Sequence, residues 1–252
     1  MRLRLALSAA VLAAGAVLVT AAPAGAVANG ADVPEGQFEF AAKLTMPSIP
    51  DADGTTYASA CSASLIAPQW VITAGHCFHD VDRNPVSGPV PYETHVLLGT
   101  NADTDGAGIA REVTEVQQAG SNDVAIAKLD QPVTGITPLT VDTSAPTVGQ
   151  QVTLAGWGSL TATNPAPSTK LQQGTMRVAE IAATTVGVRG VKPQDTTSAC
   201  TYDSGAPYFV ADGDGGRLVS VESTGPDCPH ASAETTSRVD VIADWITSHI
   251  SE

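Results

Sequence analysis

Cys61-Ser62-Ala63-Ser64-Leu65-Ile66 and, across Ala67-Pro68-Gln69, Trp70-Val71-Ile72-Thr73-Ala74-Gly75-His76-Cys77 set the character of this chain. Two apolar runs flank a proline-bearing turn, each too short for a helix, and the second ends by delivering a histidine and a cysteine. The same texture extends outward in the sequence. His95 to Leu98, Val124 to Leu129, Gln151 to Ala155 and Arg217 to Val221 are further runs of Val, Ile, Leu and Thr, punctuated by Gly, Pro, Asn and Asp. Several short strands with turn signals between them predict an all-β sandwich or barrel arrangement. With 4% aromatic residues, the core must be largely aliphatic. One helix is expected, at the end of the chain. Val239, Ile242, Trp245, Ile246 and His249/Ile250 recur at three- and four-residue spacing and form a single apolar stripe. The Pro- and Ser-bearing stretches at 164–168 and 142–146 read as surface loops, the second a candidate join between two halves.

The bulk of the chain narrows its setting. Arg2 and Arg4, the apolar run from Leu5 to Ala22 and the small residues Ala24-Gly25-Ala26 are the three parts of an export signal. Residues 1–26 are therefore predicted to be a signal peptide, cut after Ala26, and the mature chain to be secreted. A retained anchor fits less well, because the apolar run is dominated by alanine and no stop-transfer charges follow it. Residues 27–252 suit one large β domain or two small ones packed together. The leader holds two of the 12 basic residues and none of the 26 acidic ones, leaving the mature chain near −16. That balance argues against nucleic acid or an anionic membrane as partner. Four cysteines in an exported chain predict disulfides, for which three pairings are open. They form no C-x-x-C pair and are widely spread, so no metal site or other cofactor is expected. The acidic stretch at 101–105 has an incomplete calcium-ligand pattern and reads as a solvated turn.

Serine attacks a carbonyl only when a base removes its proton, and that base needs an orienting partner. Candidates for all three roles lie in suitable local settings. His76 follows an apolar strand, Asp123 opens another in Asn122-Asp123-Val124-Ala125-Ile126, and Ser204 sits in the turn-forming Cys200-Thr201-Tyr202-Asp203-Ser204-Gly205-Ala206-Pro207. Each alone is ordinary, but the three together, with cysteines flanking both His76 and Ser204, are not. An α/β-type esterase is excluded, because no Gly-x-Ser-x-Gly elbow is present and the order is His, Asp, Ser.

In these segments the chain resembles the chymotrypsin/trypsin family of serine endopeptidases. The residues from Cys61 to Cys77 look like that family's histidine segment, and Asp123 to Leu129 is similar to its aspartate segment. Ala155-Gly156-Trp157-Gly158 resembles a turn that opens the second half, and Asp203-Ser204-Gly205 with Pro207 resembles the nucleophile turn. The resemblance implies two packed six-stranded antiparallel β-barrels with a C-terminal helix. The first barrel would run over about 27–140, the second over about 141–238 and the helix over about 239–250. It implies His76, Asp123 and Ser204 as a catalytic triad, the N–H groups of Tyr202 and Ser204 as the oxyanion hole, and the bridges Cys61–Cys77 and Cys200–Cys228. It also implies a monomer acting on protein or peptide substrates, with no cofactor.

The resemblance further implies that the amine of Val27, at the head of Val27-Ala28-Asn29-Gly30, folds inward to pair with Asp203. Cleavage after Ala26 would free that amine directly. Leu218-Val219-Ser220 looks like the strand lining the substrate cleft, which makes Ser198, Ser220, Val221 and Glu222 the expected side-chain pocket. Ser198 at its base implies an apolar preference, with Glu222 an acidic wall and Glu234 nearby. One departure stands at the oxyanion hole, where Tyr202 occupies a position that the family gives to glycine. Together with Glu222, it motivates the alternative reading, a catalytically weak or inactive protease-like protein that binds peptides or proteins.

Overall fold

A computed structural model describes residues 27–251, so the predicted signal peptide lies outside the described residues. Ala41–Pro50 (β1), Thr56–Ala67 (β2), Trp70–Thr73 (β3), His95–Leu98 (β4), Ile109–Gln118 (β5) and Ala125–Leu129 (β6) pair antiparallel in the order β5-β4-β1-β2-β3-β6. A β5–β6 ladder closes the ring. Gln151–Gly156 (β7), Gln172–Ile181 (β8), Thr185–Lys192 (β9), Pro207–Asp212 (β10), Gly215–Thr224 (β11) and Glu234–Arg238 (β12) run β8-β7-β10-β11-β12-β9, closed by β8–β9. These are the two six-stranded antiparallel barrels that the sequence led us to expect. Closure leaves neither sheet with an unpaired edge.

The burial pattern explains how the barrels meet. β3 is buried along its whole length, one side facing its own barrel and the other lying against β11. Phe40 and Phe209 meet edge-on in this seam with ring centroids 5.0 Å apart, and Phe38 packs on Phe209 at 4.9 Å. Stacked T-shaped pairs of this kind add to the area that they bury. The terminal helix (α1, Ala243–Ile250) follows a 3₁₀ turn at Asp240–Ile242, and Val239, Ile242 and Ile246 are buried in the same core as the first barrel.

Two short segments cross to the partner half. Ala31–Asp32 pairs with β8 at Gln172 and Gln173, and Val27 is buried among Val152, Leu154 and Met176. Residues 27–32, expected in the first barrel, thus belong to the second, because that is where their apolar side chains find a core. Thr140–Val141 pairs in parallel with β11. Both disulfides, Cys61–Cys77 and Cys200–Cys228, are present, with sequence separations of 16 and 28. Loops of that size give roughly 3 kcal/mol each by chain entropy.

Candidate active site

β3 and β6 are neighbours, with Thr73 opposite Ala125, so the chain leaving β3 and the chain entering β6 emerge side by side. The first carries His76 on a 3₁₀ turn, Gly75–Cys77, and the second carries Asp123. His76 Nδ1 lies 2.7 Å from Asp123 Oδ2, and the His76 N–H donates to Asp123 Oδ1 at 2.8 Å. Two contacts fix both ring and backbone. Since Nδ1–H donates to the carboxylate, Nε2 is left as acceptor, and it lies 2.8 Å from Ser204 Oγ. Burial pushes the Asp123 carboxyl up, but the hydrogen bond and charge of His76, with Ser223, more than offset it and hold it below its usual value.

Ser204 reaches His76 across the seam from the second barrel. Its carbonyl accepts the Ser62 N–H at 2.8 Å, and Gly205 follows at φ +86° with its Cα packed against Ser62 and Thr73. Any Cβ there would overlap the first barrel, so glycine is what lets the nucleophile turn sit so close. Within that turn, the N–H groups of Asp203, Gly205 and Ala206 are spent on Cys200, Glu222 and Asp203 carbonyls at 2.9, 2.9 and 2.7 Å. Those of Tyr202 and Ser204 take no acceptor among the described residues. Two unspent N–H groups on either side of Asp203 are the kind of donor pair that an oxyanion forming at Ser204 would need. Tyr202 reaches this arrangement at φ +76°, a region that costs a non-glycine residue about 1–3 kcal/mol. Its carbonyl accepts a hydrogen bond from Ser62 Oγ at 3.2 Å, one of the contacts that hold it there.

Asp203 points the other way, into the second barrel. It is fully buried, with Oδ1 accepting from the Gly158 N–H at 2.9 Å and Oδ2 from the Cys200 N–H at 3.0 Å. A Cβ on Gly156 or Gly158 would collide with this carboxyl, so Gly156-Trp157-Gly158 forms its cradle. No cation partners it among the described residues, and burial pushes its pKa up to about 8. Val27 packs in the same cluster as Ala199 and Ala206, which flank the Asp203 turn, and the Ser198 N–H donates to the Ala28 carbonyl at 3.1 Å.

A cavity of about 500 Å³ opens beside Ser204, lined by Ala199, Thr201, the stretch from Glu222 to Cys228, and Glu234. Of the expected lining residues Ser198, Ser220, Val221 and Glu222, only Glu222 borders this cavity. Ser220 lies inside the barrel, its Oγ accepting from Thr236 Oγ1 at 2.8 Å, while Val221, paired with Ser237, is buried in the core that the first barrel shares. The ladder between β11 and β12 is irregular between Glu222 and Thr224, and this bulge turns Ser223 toward the cleft. Ser223 Oγ donates to Asp123 Oδ2 at 2.7 Å, a contact that the sequence reading had missed. Nothing in the residue pattern marks this bulge, so the sequence alone does not place Ser223 on Asp123. Ser198 is likewise buried off the cavity, its Oγ 3.3 Å from the His230 N–H.

Glu222, expected as an acidic wall, faces the pocket together with Glu234. Glu234 Oε1 accepts the Ala199 N–H at 2.8 Å, and Glu222 Oε2 accepts the Tyr208 hydroxyl at 2.6 Å. Burial pushes Glu234 up to about 8 and, with the neighbouring Glu234, holds Glu222 well above its ordinary value. His230 Nε2 lies 3.1 Å from Glu234 Oε1, but burial holds His230 below its usual range, so this is a contact of two neutral groups at neutral pH.

Comparison with known proteins places this geometry. The family model described as Trypsin matches residues 27–246. The chain is 29% identical to proproteinase E of Bos taurus over 90% of this chain and 96% of that protein. It is 28% identical to transmembrane protease serine 11C of Mus musculus over 88% of this chain, spanning only 53% of the mouse protein, and 26% identical to a beta-fibrinogenase-like protein of Daboia siamensis over 75% of this chain and 77% of that one. With the match starting at the first described residue and running into the terminal helix, the chain belongs to the trypsin family of serine proteases.

Proposed function

We propose that the protein is an exported endopeptidase that hydrolyses peptide bonds through an acyl-enzyme on Ser204. The observation that carries this reading is the 2.8 Å contact between His76 Nε2 and Ser204 Oγ, beside two unspent N–H groups. Ser204 Oγ attacks the carbonyl carbon as its proton passes to His76 Nε2, and Asp123 stabilises the resulting imidazolium. The N–H groups of Tyr202 and Ser204 hold the oxyanion. Collapse of the adduct breaks the C–N bond, and His76 gives its proton to the departing amine. Water then attacks the ester, yielding its proton to His76, which returns it to Ser204 as the acid leaves.

Activation on this reading needs only the cut after Ala26, which turns Val27 into a free amine near the buried Asp203. The buried position of Val27 and the uncompensated Asp203 carboxyl both support it. The two pocket carboxyls, Glu222 and Glu234, favour a cationic side chain before the cleaved bond, in place of the apolar preference inferred from Ser198. The rival reading, a peptide-binding protein without turnover, is motivated by the strained Tyr202. A fluorophosphonate separates the two: adduct on Ser204, lost in Ser204→Ala and His76→Ala, is the expected result. A correctly trimmed protein that takes no label would favour the binder.

A further inference from the structure

The loop after His76 holds one cation whose task the triad does not explain. Asp80 Oδ1 accepts the N–H groups of Asp82 and Asn84 at 2.9 Å each, and the Arg83 N–H closes on the Asp80 carbonyl at 3.1 Å. The turn holds Arg83 at φ +66°. Its guanidinium lies over the Tyr57 ring, 5.0 Å from the centroid, and Nη1 donates to the Tyr57 oxygen at 2.7 Å. Nη1 is also 3.2 Å from His79 Nε2, which serves as acceptor because His79 Nδ1 donates to the Asp80 carbonyl at 2.7 Å. The guanidinium is thus aimed, while Nε and Nη2 take no acceptor among the described residues.

Arg83 is also without a carboxylate, in a chain with 26 acidic and 12 basic residues. Lys43, Lys170, Arg217 and Arg238 each pair with an aspartate; Arg83, like Arg111, Lys128, Arg177, Arg189 and Lys192, forms no ion pair among the described residues, but of these six it alone lines a cavity that Ser204 also borders. It lines a cavity of about 190 Å³ together with Met46, Ile49, Tyr57 and Tyr202, and that cavity is bounded by His76 and Ser204. Both cavities are bounded by His76, Thr201 and Ser204, and from these the acidic pocket extends along the second barrel past Cys200 and Cys228 while the smaller one extends along the first, past Met46, Ile49, Cys61 and Cys77. A substrate with one side chain in the acidic pocket would therefore meet the smaller cavity with another part of its chain.

Building on the peptidase reading, we propose that Arg83 is a specificity residue for the leaving part of the substrate, recognising a carboxylate side chain one or two residues after the cleaved bond. A planar fork with two free donors suits a carboxylate. The site is partly open to solvent, so the expected preference is about three- to tenfold and weakens with added salt.

The test uses internally quenched peptides that differ only in Glu, Gln or Lys at those two positions. In the unsubstituted protein kcat/KM should rank Glu over Gln over Lys. In Arg83→Gln the Glu-to-Gln ratio should fall to near one, and Arg83→Lys should keep part of it. Equal rates for Glu and Gln, or a preference that survives Arg83→Gln in a folded variant, overturn the inference. A parallel arm measures binding of labelled peptides to Ser204→Ala by anisotropy. A Glu-over-Gln affinity ratio removed by Arg83→Gln supports the site whether or not turnover occurs, and its absence counts against the site. Failure of fluorophosphonate labelling together with no cleavage would instead sink the peptidase reading.

Discussion

The two halves of the cleft treat their carboxyls in opposite ways. On the first-barrel side Asp123 is met by His76 and Ser223 and lies below its ordinary pKa, so that half is complete as folded. On the second-barrel side Asp203, Glu222 and Glu234 are buried without a charged partner, and burial pushes all three up. Buried carboxyls without cations are costly, and such groups stay protonated until a cation arrives. The contrast teaches where the protein is finished and where it waits. On the proposed reading, the first barrel holds its histidine already oriented, and the second awaits two cations from elsewhere, the Val27 amine and a substrate side chain.

The contrast breaks most sharply at Asp203. Asp203→Asn, or a residue left in front of Val27, should lower kcat/KM by about 10²- to 10³-fold, the scale of one lost oxyanion donor. Unchanged turnover in either form would remove the activation reading. Stability sharpens the same point. With Val27 still joined to the leader, Asp203 titrates near 8 rather than 3.8, so the folded form binds the extra proton between those values. The stability associated with it is therefore present at low pH and lost as pH rises toward 8. Melting curves between about pH 4 and 8 should fall more steeply for the extended form than for the trimmed one.

A smaller effect is expected at the pocket. Glu234 holds its proton below about pH 8, and a cationic side chain displaces it, so KM for Lys or Arg peptides should fall as pH rises toward that value. Glu234→Gln should remove this slope and reduce kcat/KM for those peptides by about tenfold, as for one charged hydrogen bond. Identical pH profiles for the two proteins would count against a cation site. The smallest change is expected at Tyr202. Tyr202→Gly relieves the positive φ and should raise stability slightly and kcat by a few fold, measured by melting and by saturating turnover. A loss of activity would mean that the Tyr202 side chain holds the turn in place.

Much of the fold was legible because barrel strands carry a local signature. The runs at Ser64 to Ile66, Trp70 to Ala74 and Gln151 to Ala155 all fall in or at strands, and the stripe from Val239 to Ile250 packs as a terminal helix. The elements carrying His76, Asp123 and Ser204 were legible for a similar reason: each sits at the end of a recognisable strand or turn. The pocket was legible only in part: Glu222 was expected in its wall and Glu234 near it, whereas the β-bulge that turns Ser223 onto Asp123 leaves no mark in the residue pattern.

The sequence by itself therefore determined the strands, the four cysteines' even count and the three residue types that the chemistry needs, all of which depend on neighbours in the chain. Tertiary structure decided what distant residues meet. It set Ser223 on Asp123, carried residues 27–32 across to the second barrel, buried Glu222 and Glu234 beside one cavity and left Arg83 facing another. Those outcomes depend on register and on the seam between two closed barrels, where side chains separated by a hundred residues or more come within hydrogen-bond distance.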